Sequence, residues 1–200
     1  MSRGKAIVYF DNSNVFRGQL DQGWRIDATK LVQKLEERGP IWQTHFFAAV
    51  TDPPRYSQTG FYKKLKEQLH WETHLFPLGS KTTACKNCGY KKRIHTEKGV
   101  DVAIATTMLI HGVNRAYDTA ILISGDKDYL ETVKTIKNLG LRVEIVSYRY
   151  CLANDLRSES SAPVLYIEDL RAEIELTRPD KELEMLEGGE EEPTIPPTIP

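Results

Sequence analysis

The segment 119–131, TAILISGDKDYLE, constrains the fold of this chain more than any other stretch. Its apolar run has the length and branching of a strand that is buried on both faces. A serine and a glycine then predict a turn, and Asp126 and Asp128 follow ahead of a helical pattern that ends at Gly140. Open α/β sheets bind ligands at the carboxyl ends of their strands. We therefore expect two carboxylates at the ligand-binding edge of a sheet.

Strand-like and helix-like segments alternate along the rest of the chain, which predicts a three-layer α/β fold with a mostly parallel sheet and helices on both faces. The helix predicted over 28–38 begins at Asp27, a side chain suited to capping. The helix predicted over 99–113 is expected to bury one apolar face. Its residues are Val102, Ala105, Leu109 and Val113, and the face is widened by Ala103, Ile104 and Met108. Six segments have the pattern of strands: 5–10, 42–50, 72–78, 120–123, 142–148 and 164–167.

Composition excludes several classes of protein. Hydrophobic residues make up 40% of the chain and charged residues 28%, as in ordinary globular domains. No apolar run approaches the roughly 20 residues of a membrane span, and the first residues lack a signal-peptide pattern. Three cysteines do not form a disulfide framework. We therefore expect a cytoplasmic protein with no membrane partner.

Charge is distributed unevenly along the chain. Residues 180–200 contain seven acids and one base, so the remaining residues carry 26 bases against 21 acids. We predict one domain over 1–176 and an acidic, Pro-rich, disordered tail over 177–200. A basic insertion is expected at about 79–98, beside the site. Its lysines and arginine suit a polyanionic partner such as RNA, and the candidate substrate-binding residues in it are Lys91, Lys92 and Arg93.

Further carboxylates are expected at the edge where Asp126 and Asp128 lie. Asp11 follows the first predicted strand, and Asp101 falls in the first turn of a predicted helix. Each acid taken alone could serve only as a helix cap. Four carboxylates together repel one another unless cations neutralise them, and oxygen ligands select Mg²⁺ or Mn²⁺. Such an ion activates water for attack on a phosphodiester, which makes hydrolysis the natural chemistry of the cluster.

Three motifs, in order, resemble one known family. FDNSNVF at 10–16, KGVDVAIATTML at 98–109 and AILISGDKDYLETVKTIKNLGLRVEIVSY at 120–148 are similar to motifs of the NYN domain, the LabA-like branch of the PIN-like nuclease superfamily. The resemblance covers roughly residues 5–170. It implies a Rossmann-like sheet, aspartates that bind Mg²⁺ or Mn²⁺, and cleavage of RNA.

The resemblance also implies roles for individual residues. Carried over by position, Asp11, Asp101 and Asp126 would hold the metal, and Asp128 would hold it directly or through water. Asn14 and Ser124 would orient water or the scissile phosphate. The expected function is therefore a metal-dependent ribonuclease that acts on single-stranded or unpaired RNA through a metal-activated water.

Two other functions remain as alternatives. The first is an RNA-binding or regulatory PIN-like module with little or no catalysis. The second is a haloacid-dehalogenase-like phosphatase, which needs a second acid two residues after its nucleophilic aspartate. Ser13 occupies that position here, which argues against the phosphatase.

Cys85 and Cys88 form a CxxC pair, which is half of a zinc site. Their further ligands could come from His95, or from His70, His74 or Cys151 farther away in the sequence, and sharing between two subunits of a homodimer is a second way to complete the set. Two free thiols and a redox pair are the other interpretations.

Overall fold

The computed structural model describes residues 3–51, 56–84, 88 and 90–176, and within these ranges it leaves the side chains of residues 56, 57, 81, 84 and 92–96 undescribed. The predicted tail, 177–200, and Cys85 lie outside the described residues. No helix in the described ranges is long and apolar enough to cross a membrane.

A six-stranded sheet, parallel throughout, forms the centre of the molecule. The eight strands are β1 (Ala6–Asp11), β2 (Ile41–Val50), β3 (Glu72–Pro77), β4 (Gly79–Ala84), β5 (Lys91–Thr96), β6 (Thr119–Ile123), β7 (Arg142–Ser147) and β8 (Leu165–Tyr166). The order in the sheet is β3-β2-β1-β6-β7-β8, so the chain builds outward in one direction from β1 and in the other from β6. The direction of the strand order therefore reverses between β1 and β6, where open α/β sheets bind their ligands.

Helices cover both faces of the sheet, as the sequence predicted. They are α1 (Asn12–Gln22), α2 (Ala28–Glu36), α3 (Tyr56–Glu67), α4 (Val100–Val113), α5 (Leu130–Asn138), α6 (Asn154–Glu159) and α7 (Arg171–Ile174). Side chains of α1, α2, α3 and α7 pack in one apolar core, and those of α4, α5 and α6 in the other. Both faces of β1 and β6 are buried, which explains their unbroken apolar runs.

Two tight turns connect the central strands to their helices. Asp11 ends β1 and caps α1, because its carboxylate accepts a hydrogen bond from the backbone N–H of Asn14. After β6, Gly125 passes so close to the β7 end that an added Cβ would lie 2.5 Å from the Ser147 hydroxyl and 2.6 Å from the Cys151 carbonyl oxygen. Only glycine fits this turn, which brings the next residue, Asp126, to the sheet edge.

The buried face of α4 differs from the predicted one. Val102 and Val113 are 69% and 65% exposed, while Ile104 and Met108 are fully buried. The prediction was correct for Ile104 and Met108 and wrong for the two valines. Apolar residues occur on all sides of this helix, so helical spacing alone does not choose the buried face.

The insertion after β3 forms a two-stranded antiparallel ribbon of β4 and β5. It precedes α4 directly, so the basic segment leads into the helix that begins beside Asp101.

Candidate active site

Three aspartates from distant parts of the chain line one cavity at the carboxyl edge of the sheet. Asp11 ends β1, and Asp126 follows β6, the strand that pairs with β1 through Phe10 and Ile123. Asp101 stands in the first turn of α4. The cavity has a volume of about 550 Å³, and we call it the aspartate cavity.

The Tyr129 hydroxyl bridges two of these carboxylates. The buried hydroxyl of Tyr129 lies 3.0 Å from Asp11 Oδ2 and 3.2 Å from Asp101 Oδ1. A phenol carries one proton, so the two carboxylates share a single donor. The Ser124 hydroxyl, itself buried, donates to the same Oδ2 of Asp11 at 3.0 Å. Asp11 is therefore the fixed centre of the site, and Tyr129 holds Asp101 near it.

Burial is the main influence on Asp11, which is 2% exposed. Burial first, and then the nearby Asp101 carboxylate, raise the pKa of the Asp11 carboxyl, which is about 6 once all influences are included. Hydrogen bonds from the Asn14 N–H, Ser124 and Tyr129 lower this pKa but only partly offset the burial. The Tyr129 hydroxyl also has a raised pKa, first because it is buried and then because it faces Asp11 and Asp101. It therefore remains a proton donor at any physiological pH.

Negative charge dominates the aspartate cavity. Its described lining contains the three aspartates and Glu97, against one cation, Arg17. Ser13, Asn14 and Leu78 complete the lining. Such an excess of carboxylates favours a bound cation, and an all-oxygen donor set suits Mg²⁺ or Mn²⁺.

The carboxylates do not form a closed coordination shell as they stand. Within the described part of the chain, no three side chains of His, Cys, Asp or Glu converge closely enough to hold one metal ion. Mg²⁺ keeps several of its waters in proteins, so a hydrated ion needs few direct protein ligands. The size of the cavity and the chemistry of its lining therefore fit a hydrated divalent ion.

Both Asp11 and Asp126 also act as caps, the alternative role that the sequence allowed. Asp126 accepts a hydrogen bond from the Asp128 N–H at 3.0 Å, at the start of the 3-10 turn Lys127–Tyr129. A carboxylate has two oxygens with about four acceptor sites, so one capping bond leaves most of them available. Capping and ion binding are therefore compatible for these residues.

The other predicted site residues have different positions. Asp128 is exposed and does not line the aspartate cavity. The Ser124 hydroxyl donates to Asp11 and accepts from the Asp126 N–H at 3.3 Å, so its contacts orient the carboxylates. The Asn14 side-chain oxygen accepts from the Gly125 N–H at 3.2 Å, which ties α1 to the turn after β6. Substrate binding by Asn14 and Ser124 stays a prediction.

The basic ribbon is described only in part. Lys91 is exposed on β5, while the side chains of Lys92 and Arg93 lie outside the described set. Cys88 is exposed, and its predicted partner Cys85 lies outside the described residues, so the zinc site also stays a prediction.

Sequence reasoning missed three residues of the site. Arg17 stands one turn after Asn14 on α1, and this helical spacing was a usable signal. Glu97 precedes Asp101 by four residues, in a segment whose sequence is mainly basic. Tyr129 matched the apolar pattern of a helix start, and nothing in its spacing shows that its hydroxyl meets two carboxylates.

Comparison with known protein families identifies the family of this chain. The NYN domain model matches residues 5–167, which is most of the chain. The chain belongs to the NYN domain family. NYN domains are PIN-like nucleases, so the sheet and the aspartates described above occur in a family of that kind.

A solved structure shares this fold. A protein of unknown function from Vibrio parahaemolyticus, VPA0982, matches with a TM-score of 0.67 and 18% sequence identity, covering 87% of this chain and 97% of that one. At this identity the match shows the fold alone. None of the curated proteins compared matches this chain.

Proposed function

We propose that this NYN domain is a metal-dependent ribonuclease that hydrolyses phosphodiester bonds of single-stranded or unpaired RNA. One observation carries the proposal: Asp11, Asp101 and Asp126 come from separate segments and line one cavity, with Tyr129 joining the first two. A purely structural role for three acids does not require them to meet.

Asp11, Asp101 and Asp126, which line the aspartate cavity, would hold a hydrated ion in part through its waters. When bound, Mg²⁺ or Mn²⁺ supplies Lewis-acid stabilisation of phosphoryl charge and makes water a better nucleophile.

The protein's own groups position these acids and the RNA. Ser124 and Tyr129 fix the orientation of the Asp11 carboxylate by donating to its Oδ2. Arg17 is the one cation in the described lining of the aspartate cavity, so it can attract the phosphate that the carboxylates repel. The exposed Lys91 on the ribbon adds positive charge along the path of the RNA backbone. The described lining contains no histidine, and the proposed mechanism relies on a metal-activated water instead of an imidazole base.

The direct test is cleavage of a labelled single-stranded RNA by the purified protein with Mn²⁺. Asp126→Asn should reduce the rate by more than about a hundredfold, because it removes a charge at the reacting centre. Its thermal unfolding should change little, since Asp126 is only partly buried.

Asp155→Asn is the matched control, because Asp155 is an exposed acid in the first turn of α6, away from the cavity. It should cleave RNA at the wild-type rate. Equal activity of wild type and Asp126→Asn would defeat the ribonuclease proposal. RNA binding without any cleavage would instead support the regulatory module.

A further inference from the structure

A second cavity adjoins the aspartate cavity. It has a volume of about 390 Å³, within the range of small-molecule sites, and we call it the side cavity. Its walls come from α1, the turn after β6 and the segment 150–153 after β7. Asn14, Arg17 and Asp126 line both cavities, so the two share a wall where the strand order reverses.

Two cations in the side cavity are available to an anion. Arg17 and Lys127 are exposed, and among the residues that the structure describes neither pairs with a carboxylate. Other basic side chains, such as Lys137 and Arg149, are held in ion pairs. A guanidinium without a protein partner is well suited to bind a phosphate group.

An aromatic ring stands on the same wall. Tyr150 lines the side cavity and is 48% exposed, although it is large and apolar over most of its surface. Its hydroxyl faces Asp21, which raises the pKa of that hydroxyl after burial, and its ring centroid lies 5.9 Å from that of the buried Tyr148. The ring is therefore held in place but open to a ligand, as stacking platforms for nucleobases are.

We propose that the side cavity binds the nucleotide next to the cleaved phosphodiester, with its base stacked on Tyr150 and its phosphate bound by Arg17 and Lys127. This inference rests on the proposed function, because it takes RNA as the substrate. It adds the requirement that the base next to the cleaved phosphodiester is unstacked. A base inside a duplex does not expose its face to a tyrosine ring, whereas a single-stranded base does.

Binding of a short, fluorescently labelled single-stranded RNA, measured by anisotropy in EDTA, tests the stacking contact without cleavage. Tyr150→Ala should weaken binding about fivefold or more, the effect of losing one base–aromatic stack. Tyr150→Phe keeps the ring and loses only the hydroxyl, so it should bind as the wild type does.

Trp42→Ala is the control, because Trp42 is an exposed aromatic residue at the opposite, amino-terminal end of β2. It should leave RNA affinity unchanged. A second readout uses Cys151, a partly buried residue that lines the side cavity, while Cys88 is exposed elsewhere. Adenosine 5′-monophosphate should slow the alkylation of Cys151 by N-ethylmaleimide and leave that of Cys88 unchanged.

Wild-type affinity in Tyr150→Ala, equal losses in Tyr150→Ala and Tyr150→Phe, or no RNA binding at all would each overturn the inference. The outcome is separable from that of the ribonuclease test. If the wild type fails to cleave RNA but Tyr150→Ala still weakens binding, the proposed function fails and the nucleotide site stands. If cleavage depends on Asp126 but Tyr150→Ala binds RNA as tightly as the wild type, the proposed function stands and the nucleotide site fails.

Discussion

At the scale of single residues, Tyr129 determines how the acids coexist without a cation. Its one hydroxyl proton lies between Asp11 and Asp101, and it is the described contact that joins them. A hydrogen bond to a charged group contributes about 2 kcal/mol, more than a neutral one. A bound divalent ion would take over this neutralising role, so the importance of the hydroxyl should depend on the metal.

Tyr129→Phe should therefore lower the free energy of unfolding by about 2 kcal/mol in EDTA. The loss should be smaller with excess Mn²⁺, because the ion then screens the repulsion between the two carboxylates. Chemical denaturation of both proteins in the two buffers measures the difference.

Tyr117→Phe provides the matched control for that experiment. Tyr117 is also buried, and its hydroxyl donates to the Met108 carbonyl oxygen at 2.9 Å, away from the acids. Its loss should be the same in EDTA and in Mn²⁺. If the Tyr129→Phe deficit is equally independent of Mn²⁺, the hydroxyl does not substitute for an ion.

At the level of single residues, the sequence predicted the positions of the acids that stand at the ends of apolar strands. Asp11 and Asp126 each follow an apolar strand, so both their positions and their meeting at one edge were predictable. The role of Tyr129 was not, because a buried tyrosine resembles any core residue until the partners of its hydroxyl are known. The exposure of Asp128 depends on the 3-10 turn after β6, which the sequence did not specify.

At the scale of elements, the position of α1 determines how near Asn14 and Arg17, which line both cavities, lie to the turn after β6. Gly18 lies in the middle of this helix, and a Cβ added there would overlap the ring of Tyr148 at the end of β7. The glycine thus allows α1, with Asn14 and Arg17, to approach the turn after β6. Its presence is a packing requirement, although glycine is a poor helix former.

Gly18→Ala should destabilise the protein by about 1–3 kcal/mol, because overpacking outweighs the gain in helix propensity. It should also weaken RNA binding, since α1 must move away from Tyr148. Thermal unfolding and the anisotropy assay measure the two effects. Gly60→Ala, at an exposed glycine within α3, should instead leave stability unchanged or raise it by up to about 1 kcal/mol. Similar effects of the two substitutions would contradict the packing argument.

Prediction at this scale worked best for amphipathic elements. Asp27 caps α2 as expected, accepting from the N–H groups of Thr29 and Lys30. It failed for the orientation of α4, whose apolar residues surround the helix. Contacts with β1, β2 and α5 decide which side is buried, and those contacts are not encoded in the helix itself.

At the scale of the whole molecule, the sequence predicted parallel strands but not their order. Alternating strands and helices require parallel pairing with crossovers, which the sheet has. The chain could still have added β6 at either edge. In the structure β1 and β6 lie at the centre of the sheet. Helices α4 and α5 pack on one face, and α1, α2 and α3 pack on the other.

Acid stability is a second property of the whole molecule, and it involves a histidine cluster. The ring nitrogens His45 Nδ1 and His74 Nε2 lie 3.0 Å apart, and the His45 ring packs against that of His111. Burial, and then His111 and His74, lower the pKa of His45 from 6.5 to about 4. Between these pH values the unfolded chain binds more protons than the folded one, so stability should fall as pH drops from 6.5 towards 4.

His45→Phe should remove this part of the acid sensitivity, worth on the order of 3 kcal/mol by pH 4. Near pH 7.5 it should cost only about 1 kcal/mol, because phenylalanine loses the bond to His74 but removes Nε2, which is buried without a hydrogen-bond partner in the described structure. Urea unfolding from pH 7.5 to 4.5 tests both statements. The exposed His70, at a turn with φ 54°, gives the control His70→Asn, which should keep the wild-type profile. Parallel profiles for wild type and His45→Phe would refute the assignment.

The bond between Ser124 and Asp11 spans 113 positions of the chain. A polypeptide emerging from the ribosome presents Asp11 early, but Ser124 and Tyr129, which orient its Oδ2, are synthesised more than a hundred residues later. Under the proposed function, a chain that is still incomplete at β6 therefore lacks a cutting centre.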